Sequence, residues 1–189
     1  MRILGIAGSL RRGSYNHLLL RAAAERAPKG MTVDIYSEMK SMPLFDEDLE
    51  GQNGPEAVTR LRQQVLAADG ILIATPEYNQ SMPGVLKNAI DWLSRPPDEV
   101  LAGKPVAVIG ATSGRWGTRL AQAAVRQTLY AAEAIVLPKP ALYLRNAANA
   151  FDSEGRLTDQ ATRGMLDAVL IAFTGWINLM APRRSMTGR

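Results

Sequence analysis

The sequence predicts an α/β fold: a five-stranded parallel sheet, doubly wound, with helices on both faces. Three observations predict it. Strand-like and helix-like segments alternate along the chain, the strand-like runs are apolar throughout rather than at every second position, and the helix-like stretches keep their apolar residues to one side. With 189 residues the chain can bury one sizeable core but is short for two, so a single domain over 1–189 is expected.

Ile3, Leu4, Ile6 and Ala7 make the first strand, which stops at Gly8-Ser9. From Ser14, a fitting N-cap, Leu18, Leu19, Ala22, Ala23 and Ala27 recur at helical spacing until Pro28. Residues 31–36 read as the second strand and 55–68 as a helix turning Val58, Leu61, Val65 and Leu66 inward, with a long polar insertion between them. The third strand is 70–75, followed by a helix over 83–94, a fourth strand over 104–111 and a helix over 120–132. A short fifth strand, 134–137, precedes a final helix over 158–180, where Leu166, Val169, Leu170, Phe173, Ile177 and Met180 share a face. In such open sheets ligands bind beyond the carboxyl ends of the strands, where the strand order reverses. The loops after the first, third and fourth strands are therefore the places to look for a site.

Composition narrows the chemistry. There is no cysteine, so disulfides, thiolate nucleophiles and cysteine-bound zinc or iron–sulfur centres are excluded, and any redox chemistry has to come from a cofactor. The N-terminal apolar run is too short for a secretory signal, and no stretch approaches the roughly 18 apolar residues of a membrane span. A cytoplasmic protein without membrane association is expected. A net charge of +4 and a pI near 9.6 suit an anionic partner. The cations are dispersed, however, and the only dense groups are Arg11-Arg12 and the tail with Arg183, Arg184 and Arg189, so solvated surface charge is a better reading than a nucleic-acid patch.

The segment Gly8-Ser9-Leu10-Arg11-Arg12-Gly13-Ser14-Tyr15-Asn16 joins the first strand to a helix N-terminus. Free N–H groups, the helix dipole, hydroxyls and a guanidinium all suit a phosphate. Turn and cap chemistry alone would also account for its Ser and Gly residues. Two familiar phosphate loops fail on spacing. Gly13 follows Gly8 at the Walker A interval but is followed by Ser14, with no Lys, and Gly-x-Gly-x-x-Gly is missing. After the third strand, Thr75-Pro76-Glu77-Tyr78-Asn79-Gln80-Ser81-Met82-Pro83-Gly84 makes a rigid loop that presents a ring, an amide and backbone donors, suited to a flat polar heterocycle or to an ordinary turn.

These two segments carry a resemblance. Gly8-Ser9-Leu10-Arg11-x-x-Ser14-x-Asn16 resembles the opening motif of the NAD(P)H-dependent FMN reductase family, whose members include quinone, chromate and azo-compound reductases. Residues 76–92, from Pro76-Glu77-Tyr78-Asn79 through Ser81, Pro83-Gly84 and Leu86-Lys87-Asn88-Ala89-Ile90-Asp91-Trp92, are similar to its second motif. The resemblance implies a flavodoxin-like fold and an FMN whose 5′-phosphate is held by Ser9, Arg11, Ser14 and Asn16, with Tyr15 at a commonly aromatic position. It implies that Pro76, Glu77, Tyr78 and Asn79 wrap the isoalloxazine. A third flavin loop is implied at Ala111-Thr112-Ser113-Gly114-Arg115-Trp116-Gly117-Thr118, where Thr112, Ser113 and Gly114 carry over, whereas Arg115 and Trp116 are bulkier than the family's usual small residues.

The activity implied is transfer of hydride from NADPH or NADH through bound FMN to a small acceptor such as a quinone, free flavin, azo compound or oxyanion, in a ping-pong scheme without a catalytic side chain. A homodimer or homotetramer is implied too. Two rivals remain, a non-catalytic flavodoxin-type electron carrier, which would normally be acidic, and a phosphate- or nucleotide-binding regulatory protein. His17, the only histidine, has no carboxylate or second ligand spaced to help it and reads as an exposed residue of the first helical turn. Asp46-Glu47-Asp48-Leu49-Glu50 reads as a solvated loop rather than a calcium site. Lys87, Asn88 and Asp91 read as helix and subunit-packing residues, and Met39, Met42 and Met82 as gap fillers or the lining of an acceptor pocket.

Overall fold

The computed structural model describes residues 1–51, 54–96 and 99–180. The basic tail with Arg183, Arg184 and Arg189 lies outside the described residues.

Among the described residues six strands and five α-helices follow one another as β1 (Arg2–Ala7), α1 (Tyr15–Glu25), β2 (Thr32–Ile35), α2 (Glu56–Ala67), β3 (Gly70–Ala74), α3 (Gly84–Leu93), β4 (Pro105–Ala111), α4 (Arg119–Ala131), β5 (Ile135–Val136), β6 (Leu142–Leu144) and α5 (Gln160–Met180). The sheet is parallel throughout, in the order β2-β1-β3-β4-β5, and β6 also pairs with β4. This is the flavodoxin-like arrangement, with its reversal of strand order between β1 and β3.

The expected fifth strand occupies its place in two pieces. Ile135 and Val136 pair with Pro105 and Val106 at the start of β4, and Leu142–Leu144 pair with Ile109–Ala111 at its end. Pro138 and Pro140, the latter after a cis peptide bond, lie between them. Proline offers no N–H to a ladder, so a continuous strand cannot form there.

The central strands β1, β3 and β4 bury both faces, and their successive side chains serve different cores. Ile3, Ala7, Leu72, Ala74, Ala107 and Ile109 pack with Leu19 and Leu20 of α1 and Leu166, Leu170 and Phe173 of α5. Leu4, Ile6, Ile71, Ile73, Val106 and Val108 pack with Leu61 and Val65 of α2, Leu86 and Ile90 of α3 and Val125 and Leu129 of α4. Full burial of each large side chain contributes about 1.5–3 kcal/mol. Leu66, expected on the inner face of α2, is instead 54% exposed, because that stripe is filled by Val58, Leu61 and Val65. No helix among the described residues is long and apolar enough to cross a membrane.

Ser14 caps α1 as expected, its Oγ accepting from the Asn16 N–H at 3.2 Å. The last helix starts two residues later than its apolar period suggests, where Asp159 accepts from both the N–H and the hydroxyl of Thr162. The polar insertion is pinned to α3: Asn88 accepts from the Phe45 N–H at 2.7 Å and donates to the Pro43 carbonyl at 2.8 Å, and Trp92 donates to that carbonyl at 3.0 Å. Asn88 thus holds the chain's own insertion, while Lys87 and Asp91 pair along the helix. The acidic run is also less free than expected, since Glu47–Leu49 forms a 3-10 turn and Arg95 pairs with Glu50. Met39 is buried in the core, Met42 and Met82 pack against the same cluster, and Met82 also lines a surface cavity.

Candidate functional site

Three loops leave the carboxyl ends of β1, β3 and β4, which are neighbours in the sheet. Direct hydrogen bonds lock the loops to one another. The Gly8 N–H extends the ladder to the Ala74 carbonyl at 2.8 Å, and the Thr75 N–H reaches Ile109 at 3.0 Å. Asn16, buried at the start of α1, donates to the Ala111 carbonyl and accepts from its N–H, both at 2.9 Å. The Glu77 carboxylate crosses from the β3 loop to accept from Leu120 and Ala121, each at 2.9 Å, in the first turn of α4. Gly110 lets the last two loops close up, because a Cβ there would fall 2.3 Å from the Thr118 hydroxyl and 2.4 Å from the Thr75 carbonyl.

The β1 loop is an anion cradle by its donor set. Ser9 and Ser14 are buried at 4% and 2% exposure, and the oxygens of both accept from backbone, which leaves both hydroxyl protons to donate. Among the described residues the N–H groups of Leu10, Arg12 and Gly13 find no partner, and Arg11 forms no ion pair. The first turn of α1 has no acidic residue, so the positive end of its dipole is uncompensated. Arg11 lies over the Tyr15 ring, 5.4 Å from its centroid, and Tyr15 in turn stacks on Phe151 at 6.0 Å.

One expectation changes here. His17 is half-buried, not exposed: its Nε2 lies 3.1 Å from the Ser9 carbonyl, so that nitrogen carries a proton and braces the loop. The carboxamide of Asn16 also pairs with Ala111 through one N–H and its oxygen, so it positions the cradle's base while its second N–H stays available.

The β3 loop is a miniature hairpin. Tyr78 and Ser81 exchange both backbone hydrogen bonds at 3.0 Å around Asn79 and Gln80, whose φ values are 48° and 63°. Two successive left-handed residues define a type I′ turn. It holds the half-exposed Tyr78 ring at the loop's tip, behind the fixed Pro76. The β4 loop is stapled to the chain after β6: the Thr112 N–H donates to Leu144 at 2.9 Å, its carbonyl accepts from Ala147 at 3.0 Å, and Gly114 accepts from Asn146 at 3.1 Å. Ser113 and Gly114 stay exposed, and the Gly114 N–H folds back on the Thr112 hydroxyl at 3.2 Å.

All twelve expected site residues thus lie in these three adjoining loops or in the first helical turn that one of them leads into. Ser9, Arg11 and Ser14 offer donors to an anion in the β1 loop, Pro76 and Tyr78 belong to the β3 loop, and Thr112, Ser113 and Gly114 to the β4 loop. Residue chemistry suits FMN, with a cationic end for a phosphate, an aromatic edge, and a rigid backbone strip for a polar heterocycle. Sequence reasoning missed the brace from His17 and the anchor at Leu144, for which no local pattern exists.

Known proteins bear on this arrangement. The family model of NADPH-dependent FMN reductases matches residues 1–149, which contain all three loops. An NAD(P)H-dependent FMN reductase of Pseudomonas aeruginosa is 47% identical over 177 residues, covering 94% of this chain and 95% of that protein. The quinone reductase of Escherichia coli K12 is 40% identical over 179 residues, covering 94% and 95%. Among solved structures, the flavoenzyme NAD(P)H:(acceptor) oxidoreductase FerB of Paracoccus denitrificans superposes with a TM-score of 0.86 at 34% identity, over 95% of this chain and 98% of that one. With strand order, loop placement and sequence agreeing over nearly the whole length, the chain belongs to the NADPH-dependent FMN reductase family, a family of oxidoreductases.

Proposed function

We propose that this chain binds FMN in the crevice between the β1, β3 and β4 loops and passes electrons from NADPH or NADH to small soluble acceptors, quinones foremost, as a cytoplasmic homo-oligomer. The observation that carries the reading is the uncompensated donor set at the start of α1: buried Ser9 and Ser14, unpaired Arg11, and a first helical turn without a carboxylate. Acceptance of hydride and its onward transfer are what a flavin supplies when bound. The protein's part is to hold and to shape.

Ser9, Arg11, Ser14 and the free N–H groups between them would carry the phosphate. Pro76 and the Tyr78–Asn79 turn would flank the ring, with Glu77 contributing through backbone while its carboxylate caps α4. Thr112, Ser113 and Gly114 would present N–H groups to the polar edge, where donors stabilise developing negative charge. No side chain has to act as acid or base, and donor and acceptor use the same open side in turn. Exposed apolar side chains at Leu120 and Tyr130 on α4 support a subunit contact there.

The test begins with the purified protein, which should be yellow, release FMN on denaturation and bleach under NADPH without oxygen. Colourless protein with no affinity for FMN overturns the reading, and yellow protein that no nicotinamide bleaches is a carrier. Ser9→Ala with Arg11→Ala should weaken FMN binding about tenfold or more, as expected for lost charge-assisted hydrogen bonds. The reduction rate of molecules still loaded should change little.

A further inference from the structure

The β4 loop carries two residues that holding a flavin does not explain, Arg115 and Trp116. The Arg115 guanidinium carbon lies 4.8 Å from the centroid of the Trp116 ring. The indole is nevertheless 76% exposed, so one face is covered by the guanidinium and the other is open. Just beyond, the chain turns at Gly117 (φ 76°) against Tyr143, where a Cβ would fall 3.3 Å from the Tyr143 side chain. Arg119, the first residue of α4, then lies over that tyrosine ring at 5.8 Å.

Charge around this cluster is one-sided. Between residues 100 and 151 there are six cations, Lys104, Arg115, Arg119, Arg126, Lys139 and Arg145, and one carboxylate, Glu133. Glu133 lies past the far end of α4. Glu77, which reaches the first turn of α4, has its Oε2 taken by the Leu120 and Ala121 N–H groups, and Asp159, which lines a cavity with Tyr143, accepts from Thr162. Among the described residues neither Arg115 nor Arg119 forms an ion pair.

An exposed indole beside the Arg115 guanidinium, with the unpaired Arg119 three residues on over Tyr143, suits a flat heterocycle bearing a phosphate: the ring stacks and the fork binds the oxyanion. A site for an unphosphorylated ribose would instead offer a carboxylate to the 2′-hydroxyl, and Glu77 and Asp159 are both engaged by neighbouring N–H and hydroxyl groups. We propose that Trp116 stacks the adenine of the nicotinamide donor while Arg115 and Arg119 bind its 2′-phosphate, so that this loop selects NADPH over NADH. This rests on the reading above, in which the donor reaches a cofactor in the adjoining crevice.

Calorimetry on the FMN-loaded protein tests it without turnover. Adenosine 2′,5′-bisphosphate should bind about tenfold or more tightly than adenosine 5′-monophosphate. Arg115→Ala with Arg119→Ala should erase that difference, and Trp116→Leu should weaken both ligands alike. In stopped flow the double arginine variant should raise KM for NADPH at least about tenfold more than KM for NADH. Equal affinities for the two adenosine phosphates in the unaltered protein overturn the inference, as does a preference that survives the arginine substitutions. So does a Trp116→Leu variant that changes subunit mass while ligand binding stays constant. Unaltered protein bleached equally well by both nicotinamides defeats the selectivity alone, whereas protein bleached by neither defeats the donor reading and this inference with it.

Discussion

The carboxamide of Asn16 pairs with both polar backbone groups of Ala111, 95 residues away in sequence, at 2.9 Å in each direction. It completes the end of β4 as another strand would, and so sets the distance between the first turn of α1 and the β4 loop. Asn16→Ala would leave a buried N–H and a buried carbonyl without partners, a loss of about 2–4 kcal/mol. Urea unfolding of the FMN-free protein measures this, and a change below about 0.5 kcal/mol would show that the clasp carries no strain of assembly.

Glu77 gives a second expectation. Its carboxylate accepts two N–H groups of the first turn of α4, where negative charge also complements the helix dipole. Glu77→Ala should lower stability by about 1–2 kcal/mol, and Glu77→Gln by less, since an acceptor oxygen remains. If the two variants instead matched the parent in thermal unfolding but lost FMN, the side chain would act on the cofactor and not on the helix.

The hairpin at Asn79 and Gln80 is improvable. Asn tolerates the left-handed region, whereas Gln80 at φ 63° is strained, and a type I′ turn favours glycine in its place. Gln80→Gly should therefore stabilise by about 0.4–1 kcal/mol, read as a raised denaturation midpoint at constant slope.

Acid sensitivity should be traceable to the pair that ties α1 to α5. Arg26 donates to Asp167 from Nε at 2.7 Å and from a second nitrogen, and this hydrogen bonding holds the Asp167 carboxyl below the usual carboxylate range. A folded-state pKa below the unfolded one means stabilisation that is present above the unfolded value, about 3.9, and lost as pH falls through the folded one. Thermal unfolding from pH 6 down to pH 2 should show a shallower acid decline for Asp167→Asn than for the parent, with the two curves converging at the acid end. Parallel curves would remove this pair from the acid transition.

Much of this was legible in the sequence because strands buried on both faces are written as apolar runs, and Ile3–Ala7, Gly70–Ala74 and Pro105–Ala111 have no other reading. The site's location followed from the fold rule and from two motifs. What escaped was long-range. Leu142–Leu144 is three residues beside two prolines, too short for a period, and is a strand only because the end of β4 offers it a partner. His17 and Glu77 have side chains whose partners sit in other segments, and nothing near them in sequence announces a brace or a cap. The type I′ turn was hidden because Gln80 stands where glycine would have signalled it.

The divided strand beside β4 also bears on how copies of this protein can meet. A sheet edge of two and three residues, parted by prolines that offer no N–H, is a poor template for a foreign strand, and the opposite edge, Thr32–Ile35, is only four residues long. Edge-to-edge polymerisation is thereby discouraged at both ends of an otherwise highly apolar sheet.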